Sequence, residues 1–191
     1  MSSGRLRTLR TLFPDAAFGQ LRTPLTRYTL ADEVAWAGDN GFFTDPQVPR
    51  WIRFVEHALQ LSRKPLFLTL PDIVGDAART LELFCLFASH VPPPLRALVI
   101  QDGIDRVRIP WHKLGAVFIG GSNAFKKSDA AFNVARTARL LGKHVHVGRV
   151  NEVARFTLWK YYADTCDGSG LSRYDHMLRS LLEPPPNLGL I

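Results

Sequence analysis

Ala97-Leu98-Val99-Ile100-Gln101-Asp102-Gly103 and, further on, Ala116-Val117-Phe118-Ile119-Gly120-Gly121-Ser122 decide the fold class of this chain. Each is a short apolar run that stops at small or polar groups, the arrangement by which an α/β enzyme lines a pocket at its strand ends. Asp39-Asn40-Gly41-Phe42 and Asp164-Thr165-Cys166-Asp167 end in the same way. Carboxylate, amide and glycine turns therefore recur after successive strand-like segments instead of scattering over the surface, and the chain reads as an enzyme.

Working outward, short apolar runs alternate with helix-period segments from about Val34 onward, the pattern of repeated βα units and a mainly parallel sheet. Strands are expected at Val34–Ala37, Leu66–Leu70, Ala97–Ile100, Ala116–Ile119, His144–Val147 and around Tyr162–Asp164. One more, in Thr8–Phe13 or near Gln20–Arg22, brings the count to seven or eight. A helix is expected over Asp76–Ser89, with Ala77, Ala78, Leu81, Phe84, Cys85 and Ala88 on its core face. Another spans Ser128–Leu141 and stops at Gly142. Pro46–Leu61, Val150–Tyr161 and Ser172–Leu182 complete the set, ahead of a Pro-rich tail at about 183–191. No G-x-G-x-x-G turn or G-x-x-x-x-G-K-[ST] loop occurs, which disfavours a dinucleotide-binding sheet or a P-loop. The expected fold is a single α/β domain over 1–191, a trimmed (β/α)8 TIM-like barrel.

The chain has 191 residues, 46% of them hydrophobic, enough for one substantial core. Its formal charge of +7 points to a polyanionic partner, with a basic enzyme that binds none as the alternative. Cys85 and Cys166 stand far apart without a metal spacing, so neither a disulfide framework nor a zinc site is indicated, and a reducing compartment is expected. The N-terminus lacks the apolar core of a secretory signal, and no stretch is long and apolar enough to cross a bilayer. A soluble cytoplasmic protein is expected.

Each chemical candidate has a plain competitor. Asp167, beside Gly168-Ser169-Gly170, suits a nucleophile, and Asp164 lies three positions earlier; either could instead cap an Asx-turn. Asp39, at a strand end, suits a general acid or base, while the following Asn40-Gly41 is also a hairpin signal. Asp72 could accept from a purine-like ring or cap the next helix. Gln101 offers donor and acceptor for a base edge, or satisfies buried backbone. Gly120-Gly121 allows close ligand approach, or a tight turn. His144 and His146 alternate on one strand without a metal-ligating partner and are read as core or supporting histidines. Lys126, Lys127, Lys143 and Arg149 could hold phosphates, or be solvated charges.

Taken together, these segments resemble the tRNA-guanine transglycosylase superfamily, and more closely its deazapurine DNA-modification branch, the DpdA-like proteins of phages and bacterial genomic islands. The resemblance covers roughly Trp36 to Ser172. Asp39-Asn40-Gly41-Phe42 is similar to the family's D-S-G-G-F, with Asn40 replacing Ser and one Gly missing. Pro71-Asp72 matches a purine-reading segment, Val99–Gly103 is similar to V-Q-G-G, and Phe118–Gly121 carries the glycine pair. His146–Val150 falls where the family has M-G-V-G, and Asp164–Asp167 has the spacing of D-x-F-D. The C-x-C-x-x-C…H zinc site of the tRNA enzymes is missing, which favours DNA over tRNA.

The resemblance implies a (β/α)8 barrel and a glycosyltransferase, without cofactor or metal, that exchanges guanine in DNA for a 7-deazaguanine such as preQ0. Asp167 would be the nucleophile and Asp39 the acid/base. Asp72, Gln101, Gly120, Gly121, Phe42 and Asn40 would hold the base, and Lys126, Lys127 and Arg149 the phosphates. Partners expected are DNA, with tRNA as the alternative, and a 7-deazaguanine base, with room for helper proteins and a homodimer. If the gene is phage-borne, the location is the host cytoplasm. The rival classes are a tRNA-guanine transglycosylase and a catalytically inactive nucleic-acid-binding barrel.

Overall fold

Parallel strands cannot be joined by tight turns, so each pair needs a crossover, and an amphipathic helix is the usual one. The structure is a computed structural model that describes residues 2–32 and 34–182. The described residues form seven strands: β1 (Gln20–Arg22), β2 (Trp36–Gly38), β3 (Leu68–Thr69), β4 (Arg96–Ile100), β5 (Ala116–Ile119), β6 (His144–Val147) and β7 (Thr165–Cys166). All pair in parallel and in chain order, and the sheet curls into a half-barrel with β1 and β7 at its edges. The expected α/β class with a parallel sheet is found. The closed eight-stranded barrel is not, because the sheet runs from β1 to β7 without rejoining among the described residues; the tail at 183–191 lies outside them.

The helices are α1 (Ser3–Leu12), α2 (Val48–Gln60), α3 (Ala77–Phe87), α4 (Asp129–Leu140), α5 (Val153–Trp159), α6 (Ser169–Arg173) and α7 (Asp175–Leu182). Helices α2 to α5 serve four of the six crossovers. The connection from β4 to β5 has only two 3-10 turns, at Ile104–Arg106 and Trp111–Lys113, and residues 23–32 and 34–35 between β1 and β2 form no helix. Pro49 opens α2, where its missing N–H costs nothing, and Trp51, Val55 and Ala58 form its buried stripe. Ser128 Oγ caps α4 by accepting from Ala131 N at 3.3 Å, and Gly142, at φ +65°, ends it.

Four expectations shift. Thr8–Phe13 belongs mostly to α1, leaving Gln20–Arg22 as the N-terminal strand. β7 begins at Thr165 because the Tyr162 and Ala163 N–H groups still bond back to Trp159 O. The last helix is broken at Tyr174 into α6 and α7. On α3 the buried residues are Ala77, Thr80 and Phe84, while Ala78 and Cys85 are exposed. Thr80 can take a core position because its hydroxyl bonds both Ile73 O (3.1 Å) and Ile73 N (3.0 Å).

Side chains alternate across each strand and give the sheet two dissimilar faces. Leu98, Ile100, Val117, Ile119, Val145 and Val147 pack outward against the helices, with Trp51, Phe84 and Ala135 among their neighbours. Ala37, Phe67, Ala97, Val99, Ala116 and Phe118 form the concave inner layer, where alanines relieve crowding and two aromatic rings fill the space. The Phe67 ring lies 6.3 Å from Phe118 and 5.2 Å from His146, centroid to centroid, and Phe67 is fully buried. Phe67→Ala is therefore expected to cost about 3–5 kcal/mol. Urea unfolding followed by circular dichroism measures it; a loss below about 1 kcal/mol would show that the inner layer carries little of the stability.

Candidate active site at the strand ends

The inward parity that buries Ala37, Val99, Phe118 and His146, and half-buries Thr165, continues past the ladder. Two residues on from each, it delivers Asp39 after β2, Gln101 after β4, Gly120 after β5, Gly148 after β6 and Asp167 after β7. All five line one cavity at the C-terminal ends of the strands, together with Asp72 from the loop after β3. Asn40, Gly121, Lys126 and Arg149 border the same cavity. Two sequence candidates stand apart: Phe42 is buried in the outer core, and exposed Lys127 lies outside the lining. Phe43, not Phe42, is the aromatic residue of this turn that reaches the cavity, and it is 68% exposed at the rim.

Asp167 is anchored on one oxygen. Its Oδ1 accepts from Arg149 N at 3.2 Å and meets His146 Nε2 at 3.1 Å, while no hydrogen bond from the described residues reaches Oδ2. Arg149 adopts φ +56°, a left-handed conformation rare for a residue with a side chain, and this turn aims its N–H at the carboxylate. Its guanidinium donates to Gly121 O at 3.2 Å and sits 4.5 Å from the Phe43 ring centroid. Gly148 is required on the inward face: a Cβ there would come within 2.6 Å of Phe118 and 3.4 Å of Asp167 Oδ1.

Behind Asp167 runs a chain of polar groups in which sequence reading assigned the two histidines to core or support and gave Thr165 no role. Thr165 Oγ1 lies 2.8 Å from both His146 Nδ1 and His144 Nε2. An ionised Asp167 can only accept, so a neutral His146 donates from Nε2 and must accept at Nδ1 from the Thr165 hydroxyl, which in turn accepts from His144 Nε2–H. Burial lowers the pKa of His144, which favours its neutral form. The signal for this chain was present as parity: His144, His146, Thr165 and Asp167 share the inward face.

Asp72, Asn40 and Gln101 form a second, buried network. Asn40 Nδ2 donates to Asp72 Oδ1 (2.9 Å) and to Leu70 O (2.6 Å), and its Oδ1 accepts from Phe42 N (2.8 Å). Gln101 Nε2 donates to Asp72 Oδ2 at 2.6 Å, and its Oε1 accepts from Gly75 N at 3.0 Å. Asn40 and Gln101 thus orient Asp72 more than they face a ligand, and the Asn40-Gly41 pair makes no hairpin, since β2 and β3 are parallel. Burial raises the Asp72 pKa, and the two amides oppose that rise.

Lys126 departs from its expected phosphate role. It is fully buried, with Nζ donating to Gly148 O at 2.6 Å; burial, followed by repulsion from Arg149, brings its pKa down to about 8. Asp164 turns away to structural duty, accepting from Val145 N (2.8 Å) and Arg139 (2.9 Å). Asp102 clamps the turn after β5 through Ser122 N (2.8 Å) and Oγ (2.6 Å), and Gly121, at φ +72°, leaves room for it. His, Cys, Asp and Glu form no metal-binding group among the described residues, and no helix among them is long and apolar enough to cross a membrane. No family model, curated protein or solved structure matches this chain.

Asp39 carries the largest carboxyl shift of the site, pushed up to about 6 from 3.8 by burial first and by the negative charge of Asp167 second. The folded state therefore holds this proton more tightly than the unfolded chain. The cost of ionising Asp39 is absent below about pH 4 and complete above about pH 6, so its contribution to stability declines as pH rises through that window. Asp39→Asn should remove this decline and stabilise the fold at neutral pH by on the order of 2 kcal/mol. Urea melts across the window test it, and a variant with the wild-type pH dependence would refute it. Asp167→Asn should also lower the Asp39 pKa, read by NMR titration of the Asp39 carboxyl; an unmoved titration would show that the two carboxylates do not couple.

Proposed function

We propose that this protein is a base-exchange transglycosylase that replaces guanine in DNA with a 7-deazaguanine base of the preQ0 type, and that its half-barrel is a trimmed TIM-like barrel. The observation that carries the reading is the pairing of two carboxylates in different environments on one cavity. Asp167 has one oxygen anchored and the other without a hydrogen bond from the described residues, while Asp39 titrates near 6. Such a split suits a nucleophile beside an acid/base group.

In the proposed reaction Asp167 Oδ2 attacks the sugar C1′, forming a C1′–O bond as the bond from C1′ to the guanine nitrogen breaks. Asp39, protonated, gives its proton to the departing base. The incoming deazaguanine then loses a proton to Asp39 and attacks C1′, displacing the carboxylate, so that two displacements preserve the configuration at C1′. Asp72, held by Asn40 and Gln101, supplies a fixed acceptor for ring N–H groups. Gly120 and Gly121 leave the backbone open to the base edge, and the base must leave the duplex stack to arrive there.

The test is incubation of the protein with duplex DNA and a mass-tagged 7-deazaguanine, with tRNA in a parallel arm. Wild type should incorporate the base into DNA; Asp167→Asn should drop to background, a loss of at least about a thousandfold for a missing nucleophile. Without an incoming base, wild type alone should form a covalent adduct with DNA. Near-normal exchange by Asp167→Asn would overturn the nucleophile assignment, and incorporation into tRNA alone would overturn the substrate.

A further inference from the structure

A second cavity adjoins the first and shares Thr23 with it. Arg50, Arg53 and His57 line it from α2, where the spacing i, i+3, i+7 puts them on one face of the helix. Arg22, the last residue of β1, lines the opposing side. Four basic side chains therefore meet in one groove, and no carboxylate of the described residues lines it; Asp45, the ion-pair partner of Arg50, is outside the lining. Arg22 Nη2 donates to Tyr28 O at 3.2 Å, but its Nε is buried without a hydrogen-bond partner among the described residues. A buried guanidinium N–H without a partner is costly, and the guanidinium groups that line the groove fit anionic oxygens best.

We infer that this groove carries the phosphodiester backbone of the DNA strand whose base occupies the strand-end cavity, an inference that rests on the base-exchange reading. Two arginines presented from a helix face and a third from a strand edge match phosphate oxygens, which accept from guanidinium in a bidentate manner. Adjacency through Thr23 matters because a flipped nucleotide remains tied to the phosphates on either side of it. The two threonine hydroxyls of the groove each accept one backbone N–H: Thr26 Oγ1 from Thr23 N at 2.8 Å, and Thr23 Oγ1 from Leu25 N at 3.2 Å. Phe54 and Pro24 are the other lining residues, so no side-chain amide or carboxylate of the described residues lines the groove. The choice of deoxyribose over ribose follows from the base-exchange reading, and the 2′-hydroxyl is what separates the two sugars at a given site.

The experiment compares two double variants that each remove two arginine charges: Arg50→Ala/Arg53→Ala in the groove, and Arg79→Ala/Arg136→Ala on exposed positions of α3 and α4 that line neither cavity. Binding of a fluorescent duplex oligonucleotide is followed by anisotropy across a salt series, with an RNA of the same sequence alongside and thermal melts to verify folding. The groove pair should weaken DNA binding about tenfold at low salt and reduce the slope of log K against log salt by about 1.8, whereas the control pair leaves the slope close to wild type. Equal effects from both pairs, or none from the groove pair, would overturn the groove, and tighter binding of RNA would overturn the choice of DNA. Because binding needs no chemistry, a groove-specific loss in a protein that exchanges no base would uphold the groove and sink the base-exchange reading; exchange with an unchanged groove slope would do the reverse.

Discussion

The alternation of side chains along a parallel strand is the constraint on which the rest of this molecule depends. In a curled sheet every second residue faces the concave side, so the strand interiors must be apolar there while the first inward position beyond the ladder is free to be polar. Ala37, Val99, Phe118 and His146 fill the inner layer, and Asp39, Gln101, Gly120 and Gly148 follow them two residues later. A one-residue register slip would send each of these groups into the outer core, where Trp51 and Phe84 pack against the sheet. The cavity therefore inherits its geometry from ladder hydrogen bonds that touch none of its polar side chains.

The same cavity holds carboxylates in three conditions. Asp72 is buried and receives two amide donors, Asp167 is held on one side by His146 and by the backbone of Arg149, and Asp39 has, among the described residues, only two long contacts, from Gly41 N and Thr69 Oγ1, each at 3.4 Å. Burial raises the energy of a carboxylate unless donors compensate, so the weakly held Asp39 has its pKa pushed up to about 6. Three like charges in one small space would repel; a proton resident on Asp39 below about pH 6 relieves that repulsion and is the proton an acid/base group needs.

Around this centre the sheet is open, and the chain saves length by replacing helices with 3-10 turns between β4 and β5. The two ends of the described chain meet across it: Arg5 of α1 pairs with Asp175 of α7, and Arg179 lies 5.6 Å from the Phe13 ring centroid. The net positive charge is distributed unequally in consequence. Lys126 is spent inside the protein, holding the Gly148 carbonyl, whereas Arg50 and Arg53 stand exposed on α2 beside the cavity. Charge alone could not have distinguished the buried cation from the presented ones.

Periodicity by itself determined much of this protein: a parallel α/β sheet, the central strands Ala97–Ile100, Ala116–Ile119 and His144–Val147, and the helices around Ala77–Phe87 and Asp129–Leu140. These are local properties, set by apolar spacing and by caps such as Ser128 and Gly142, and they need no knowledge of neighbours. The strand-end positions of Asp39, Gln101, Gly120 and Asp167 were legible for the same reason. Only the tertiary structure decided that the sheet of the described residues is an open half-barrel, that Phe43 and not Phe42 reaches the cavity, that Lys126 turns inward, and that His144, Thr165 and His146 stand in line behind Asp167. Each of those outcomes depends on contacts between residues far apart in the chain, whose energies arise from burial and hydrogen-bond geometry that no local pattern records.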